Sequence, residues 1–185
     1  MTATLALTTG RATHLVVDYT FGPTRATATC ETVVMPTIRL TETTTVSPER
    51  FIAALTDFGP ERSKIWTNSS PEYLQVHSLS ETSADVTEGS SAGGGTWERL
   101  TYDWSTPNRV TMATTDSNIW GRDSGHDYTV VPNQEGGSTI NVVIVRRGRN
   151  ARGVLIGALA ALVGKQFIRR ELRKSIAVIE ASAAS

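Results

Sequence analysis

The sequence predicts an α+β fold in which a curved antiparallel sheet of about seven strands wraps around a long C-terminal helix. Two observations lead to this prediction. From residue 37 onward most of the chain consists of extended segments joined by short turns, and a long segment without an internal proline follows them. Strands that follow one another through short turns pair antiparallel. One face of such a sheet must be covered, and only the last helix is long enough to cover it.

The first strand and two short helices begin this pattern. Residues 37–46 are rich in threonine and other β-branched residues, which favours a strand. Ser47 is a suitable N-cap for a helix that starts with Pro48. A Gly-Pro pair ends this helix, so Asp57 of the triplet DFG is predicted to be a helix-end residue and not a metal ligand. A second short helix is expected over residues 61–66. The apolar residues of the first helix share one face at spacings of four and three: Phe51, Leu55 and Phe58.

Six further strands are expected, separated by turn residues. Their sequences are EYLQVHSLS, SADVTEG, WERLTYDW, RVTMATTDS, HDYTVVPN and TINVVIVRR. The final segment, from about Asn150 to about Ala181, is predicted to be one long helix. Its apolar side chains recur at spacings of four, four and three, which places them on one face: Ile168, Leu172, Ile176 and Ile179. The apolar run Val154–Gly164 is too short to span a bilayer, which needs about 18 to 20 residues. It is also rich in small residues, and we predict that it is a buried helix segment.

Composition and charge limit the classes of function. The net charge is zero, so no strong overall field attracts nucleic acid, and we expect no nucleic-acid partner. The single cysteine, Cys30, allows no internal disulfide, and the N-terminus lacks the pattern of a secretory signal. We therefore expect a cytoplasmic protein without a transmembrane segment. Nine of the eighteen basic residues lie between Arg146 and Lys174. Within that span Lys165, Arg169 and Arg173 form a stripe, which is either a solvated face or a weak contact for anionic lipid or RNA.

Three regions are expected along the chain. Residues 1–36 are rich in threonine and alanine, and we expect them to form an N-terminal extension. This extension is either a flexible segment or the product of a misplaced start codon. The second alternative arises because Met35-Pro36 directly precedes the first convincing strand. Residues 37–181 form the folded domain, and residues 182–185 form a tail.

Several motifs, in this order and spacing, carry a resemblance to a known superfamily over roughly residues 37–181. They are SPERFIAALTDF, a glycine turn followed by WERLTYDWSTPNRVT, YTVVPNQEGGSTINV, and RGVLIGALAALVGKQFIRRELRKSIAVIE. Together they resemble the SRPBCC superfamily, also called START-like or helix-grip proteins, and its polyketide cyclase/dehydrase branch in particular. The resemblance implies a deep apolar cavity between the sheet and the long helix. It does not imply one reaction, since the superfamily includes binders as well as enzymes.

The candidate site residues follow from strand alternation and from this architecture. His126 and Tyr128 lie two apart on a predicted strand, so they share one face and could bind a polar group or pass a proton. Asp116 is the third candidate for proton transfer, and alternation places it on the same face of its predicted strand as Val110, Met112 and Thr114. The remaining candidates for lining the cavity are Trp66, Leu100, Tyr102, Val110, Met112, Thr114, Trp120, Val163 and Phe167.

Three function classes remain open at this point. The leading one is binding of a small hydrophobic molecule, lipid-like or polyketide-like, in the cavity. The second is a cyclase- or dehydrase-type enzyme acting on such a molecule. The third is an interaction protein that uses the basic C-terminal helix on a membrane or on RNA. We expect no cofactor and no metal, because the three histidines lack the spacing of a metal site. The sequence does not indicate an oligomeric state.

Overall fold

A computed structural model describes residues 37–91, 94–160 and 164–182. The N-terminal extension predicted over residues 1–36, most of the tail and Val163 lie outside the described residues. The elements in chain order are β1 Thr37–Thr44, α1 Pro48–Thr56, α2 Arg62–Ile65, β2 Gln75–Leu79, β3 Ser83–Ser90, β4 Thr96–Asp103, β5 Arg109–Ser117, β6 Gly125–Pro132, β7 Ser138–Val145, α3 Ala151–Leu159 and α4 Lys165–Ala181.

The seven strands form one curved antiparallel sheet, which confirms the predicted fold class. Their spatial order is β1-β7-β6-β5-β4-β3-β2, so every pair except β1 with β7 joins strands that are adjacent in sequence. The first strand in the sequence pairs with the last, with Thr37 opposite Val145 and Thr44 opposite Ser138. Strands β1 and β2 are the two edges of the sheet.

The hydrophobic core lies between one face of this sheet and helices α1 and α4. Phe51 and Leu55 of α1 are fully buried, as the spacing of this helix predicts. Leu172, Ile176 and Ile179 of α4 are also buried, and Ile168 packs partly buried against the same core. Two hydrogen bonds attach α4 to α2 and to β1. The Ser175 hydroxyl donates to the Ile65 carbonyl at 2.6 Å, and the Thr44 hydroxyl donates to the Glu180 carboxylate at 2.7 Å.

Helix α1 begins as the sequence predicts but ends at Thr56, so Phe58 and the Gly-Pro pair expected to end it lie beyond the helix. The Ser47 hydroxyl accepts a hydrogen bond from the Arg50 amide at 3.4 Å, and Pro48 occupies the first turn. Asp57 is the C-cap residue, and its carboxylate accepts from the Gly59 amide at 2.8 Å. The DFG triplet is therefore a turn that ends a helix.

The C-terminal helical region consists of two described segments, α3 and α4, where the sequence predicts one helix. Ala160 and Gly164, on either side of the undescribed residues 161–163, adopt wider π-helical turns. Such turns are rare and interrupt the regular α-helical hydrogen bonding. The prediction of a single helix includes residues 161–163, which lie outside the described residues.

The basic stripe of α4 is not a freely solvated face. Arg169 and Arg173 each form an ion pair with the buried carboxylate of Glu42 on β1, both at 2.7 Å. A buried carboxylate requires a partner, and these two guanidinium groups supply it. Periodicity along the helix could not show this, because the partner lies more than 120 residues away in the sequence.

Candidate ligand-binding cavity

A cavity of about 360 Å³ lies between the sheet and α4. Strands β6 and β7 contribute one wall, α4 contributes the opposite wall, and the segment after α2 contributes a third side. The apolar lining residues are Trp66, Ile144, Phe167, Ile168 and Leu172, and the polar ones include His126, Tyr128, Arg146, Glu171 and Ser175. Its size lies at the lower end of the roughly 300–1,000 Å³ typical of small-molecule sites.

His126 contacts Arg146 at the polar end of this cavity. The distance from the Arg146 guanidinium to His126 Nε2 is 2.5 Å. Because an arginine can only donate hydrogen bonds, Nε2 must accept, and the ring proton of the neutral imidazole is then on Nδ1. Burial lowers the pKa of His126 well below its usual value, and the neighbouring Arg146 charge lowers it further. His126 is therefore a neutral imidazole whose Nδ1–H has no hydrogen-bond partner among the described residues.

Tyr128 lies two residues farther along β6, and its ring is 6.3 Å from that of His126. Burial raises the pKa of its hydroxyl to about 12, so the phenol stays protonated. Within the described parts of the chain this hydroxyl has no hydrogen-bond partner. The cavity thus contains two neutral donors on one face of one strand, as the alternation of the sequence predicts.

Glu98 holds the position of Arg146. The two side chains form a two-bond ion pair at 2.9 and 3.0 Å, and both are largely buried. The Thr114 hydroxyl also donates to Glu98, at 3.1 Å. On its other side the Arg146 guanidinium stacks on the Trp120 ring, 5.1 Å from the ring centre. Arg146 therefore closes one end of the cavity, and a smaller space of about 150 Å³ continues beyond it.

A second buried polar cluster lies in the core beside α2. Arg62 forms an ion pair with Glu88 at 2.5 Å and donates to the Tyr102 hydroxyl at 3.1 Å, and Tyr102 in turn donates to Glu88. All three side chains are almost fully buried. Burial raises the pKa of Tyr102 well above its usual value, and the Glu88 charge raises it further. Arg62 also donates to the Leu55 and Asp57 carbonyls at 3.0 and 2.6 Å, so this cluster ties the end of α1 to the sheet.

The structure brings four of the predicted site residues to the cavity: Trp66, His126, Tyr128 and Phe167. Five others are core residues that do not line it: Leu100, Tyr102, Val110, Met112 and Thr114. Val110 and Met112 pair directly with Tyr128 and His126 across β5 and β6, yet their side chains pack into the core. Trp120 lies beyond Arg146, at the smaller space.

Asp116 lies on the opposite face of the sheet from His126 and Tyr128. A β-bulge sets Thr115 and Asp116 together against Arg99, which reverses the alternation of β5 at this point. The Asp116 side chain is exposed and forms an ion pair with Arg149 at 2.7 Å. The expectation that it shares a face with Val110 and Met112 is therefore wrong, because alternation holds only while the register is unbroken.

Sequence reasoning missed the charged residues of the site, although a signal for them was present. Glu98 alternates with Leu100 and Tyr102, and Arg146 follows Ile144 at the same two-residue spacing. A charged residue in phase with buried apolar residues indicates a paired buried charge. Among the described residues no group of three or more histidine, cysteine, aspartate or glutamate side chains could hold a metal ion. None of the described helices is long and apolar enough to cross a membrane.

The chain is similar in structure to several solved proteins, at low sequence identity. The protein TTHA0849 from Thermus thermophilus aligns with a TM-score of 0.63 and 13% identity over 80% of this chain and 99% of that one. A START superfamily protein from Mycobacterium smegmatis aligns with 0.61 and 11% over 78% and 97%. The Zhui aromatase/cyclase from Streptomyces sp. R1128 aligns with 0.62 and 13% over 79% and 94%. No family model and no curated protein matches the sequence.

These likenesses show that the chain has the START-like, or SRPBCC, helix-grip fold. The seven-stranded curved sheet, the two short helices after the first strand and the C-terminal helix against the concave face are its defining parts. At these identities the likeness concerns the fold alone.

Proposed function

We propose that this protein binds a small hydrophobic molecule that carries a hydrogen-bond acceptor, in the cavity between the sheet and α4. The observation that carries this proposal is the combination of apolar walls with the two unpaired donors, His126 Nδ1–H and the Tyr128 hydroxyl. A few placed polar groups in a mainly apolar cavity are what fixes the orientation of a small ligand. A cytoplasmic location, expected from the sequence, is part of the same proposal.

Burial of the ligand's apolar surface supplies most of the affinity. Each 100 Å² of apolar surface removed from water contributes about 2.5 kcal/mol before the costs of ordering the ligand. The polar groups then select among ligands. A carbonyl or ether oxygen within reach of His126 and Tyr128 accepts one or two hydrogen bonds, each worth about 0.5–1.5 kcal/mol net. An apolar ligand without an acceptor leaves both donors unpaired in the cavity.

Binding is favoured over catalysis by the state of His126. Its Nε2, the basic nitrogen, already accepts from Arg146, and its pKa is lowered, so it is a poor proton acceptor at neutral pH. Asp116, the third proton carrier considered, lies on the other face of the sheet. The cyclase- or dehydrase-type reaction thus has a weaker basis in this site than ligand binding.

A pair of fluorescent probes tests the proposal. Prodan, a naphthyl ketone, and 2-(dimethylamino)naphthalene share an aromatic core, and only Prodan carries the carbonyl acceptor. We expect the wild type to bind both, with Prodan favoured. Tyr128→Phe and His126→Ala should reduce this preference for Prodan by about twofold to tenfold each, which corresponds to the loss of one neutral hydrogen bond.

A matched pair of variants locates the binding. Ile144→Trp adds volume on the cavity face of β7, and Val143→Trp adds the same type of side chain on the opposite face of the same strand. Ile144→Trp should abolish probe binding, and Val143→Trp should bind as the wild type does. Circular dichroism and thermal unfolding establish that both variants fold. Wild-type protein that binds neither probe, or a folded Ile144→Trp variant that binds as well as the wild type, would refute the proposal.

A further inference from the structure

Helix α3 has its apolar side chains on the outside. Its buried residues are Gly153 and Gly157, whereas Val154, Leu155 and Leu159 are 59%, 62% and 53% exposed. A helix on the surface of a globular protein normally shows the reverse pattern, with large apolar residues inside and polar residues outside. An exposed apolar face of this kind marks an interaction site.

Close backbone packing on the inner side fixes this orientation. A Cβ atom added to Gly153 would lie 2.0 Å from the Ile119 carbonyl oxygen, and one added to Gly148 would lie 2.3 Å from the Val154 amide nitrogen. The helix therefore packs against the loop after β5 and the segment after β7 at a distance that only glycine permits. No room remains on that side for a leucine. The outward position of the large side chains is a consequence of how α3 is attached.

Positive charge lies at both ends of this face. From Arg146 to Arg170 the sequence contains seven arginine and lysine residues and no aspartate or glutamate. Four of these cations form ion pairs with carboxylates from elsewhere in the chain: Arg146, Arg147, Arg149 and Arg169. Arg149, just before α3, forms an ion pair with Asp116 at 2.7 Å, and Arg152 in the first turn of α3 donates to the Gly94 carbonyl at 3.1 Å. Lys165 begins α4. Lys165 has no ion-pair partner among the described residues. An apolar face with cations at both ends complements an anionic lipid surface, where acyl chains lie beneath phosphate and carboxylate groups.

We infer that α3 is an interfacial docking element for anionic bilayers, with Val154, Leu155 and Leu159 entering the boundary between headgroups and acyl chains. The nine residues of α3 extend only about 13 Å, so the helix can lie in the interface and not cross it. Symmetric pairing of two copies of the chain through this face explains these observations less well than docking to a bilayer does. Three side chains provide far less than the roughly 800 Å² per partner of a stable interface, and a two-fold axis would bring the same cations together. The inference does not depend on the ligand proposed for the cavity.

Vesicle co-sedimentation of the full chain tests this inference. The wild type should bind vesicles of phosphatidylcholine with phosphatidylserine, and bind vesicles of phosphatidylcholine alone much more weakly. Leu155→Gln combined with Leu159→Gln should weaken binding to the phosphatidylserine vesicles by about tenfold or more, because apolar contact is lost. Lys165→Gln should weaken it less, and added salt should weaken it in all variants.

The matched control is Leu79→Gln, since Leu79 on edge strand β2 is 61% exposed, close to the 62% of Leu155. This variant should bind vesicles as the wild type does. Ile144→Trp, which fills the cavity, should also retain vesicle binding, so failure of the ligand proposal and failure of this inference remain distinguishable. The inference is overturned if the wild type does not bind phosphatidylserine vesicles, or if the α3 double variant binds them as well as the wild type does. It is also overturned if vesicle binding appears only after removal of residues 1–36, or if light scattering shows a wild-type dimer that the double variant converts to a monomer.

Discussion

Stability below neutral pH should depend on His126 in a way that the cavity geometry determines. In the unfolded chain this imidazole takes up a proton near its ordinary pKa of 6.5, whereas burial and then the Arg146 charge lower its pKa in the folded protein. The unfolded state therefore binds more protons as the pH falls. Above about pH 6.5 the imidazole is neutral in both states, so its titration does not affect stability. Below that pH the unfolded state is increasingly favoured until the pH falls to the lowered folded pKa. For one proton the free energy of unfolding should fall by about 1.4 kcal/mol per pH unit in this range.

Urea unfolding measured at intervals from pH 7.5 to pH 5 tests this slope, with His126→Gln as the variant and His77→Gln, on the exposed edge strand, as the control. The free energy of unfolding of the wild type minus that of His126→Gln should decrease steadily below about pH 6.5, because only the wild type has an imidazole that the unfolded state protonates first. His77 lies on β2, outside the cavity, so His77→Gln controls for the general effect of replacing a histidine by glutamine. The groups that face His126 are Arg146, Tyr128 and Glu88, and neither substitution changes them. Parallel curves for wild type and His126→Gln would show that His126 is protonated equally in both states, and the neutral-donor assignment would fail.

Three further predictions concern the stability of the fold. Leu172→Ala on the buried face of α4 should lower the free energy of unfolding by about 2 to 5 kcal/mol in a urea titration, and a negligible change would mean that this face is not in the core. Glu88→Ala should cost about 3 to 5 kcal/mol because it leaves the Arg62 charge buried without its carboxylate, and adding Arg62→Met should recover part of that loss. If Glu88→Ala is neutral in the same titration, the ion pair contributes nothing to stability. Deletion of residues 1–34 should leave the thermal unfolding midpoint unchanged, as the predicted domain boundary requires, and a large drop would show that the segment stabilises the domain.

The parts of the fold that sequence predicted are those set by local chemistry. The Ser47 cap, the apolar spacing of α1 and the face of α4 that carries Leu172 all depend on residues within one or two turns of each other. The two donors of the cavity, His126 and Tyr128, were found for the same reason, since two residues on one unbroken strand share a face. Their contact with the Arg146–Glu98 ion pair could not be predicted from the alternation of one strand, because these residues come from other parts of the sheet.

The errors arose where long-range pairing overrides local pattern. The bulge opposite Arg99 reverses the direction of Asp116, and nothing within β5 itself signals the extra residue. The stripe of α4 was open to two interpretations, a solvated face or a contact for lipid or RNA, because Glu42, the partner of Arg169 and Arg173, is far away in sequence. Helix α3 resembled a buried segment because its composition is apolar, and only the close approach of Gly153 to the Ile119 carbonyl shows that the large side chains must point outward.

The pairing of β1 with β7 has a consequence for synthesis of the chain on the ribosome. Thr41 and Asn141 are direct partners, and 100 residues separate them. At about 5 to 20 residues per second, β1 emerges roughly 5 to 20 s before its partner strand has been made. During that interval the successive hairpins from β2 to β6 can form from local contacts, whereas β1 has no strand to pair with. The nascent chain must keep a threonine-rich strand from pairing elsewhere, and the sheet closes only when β7 and the helix that covers it have left the ribosome.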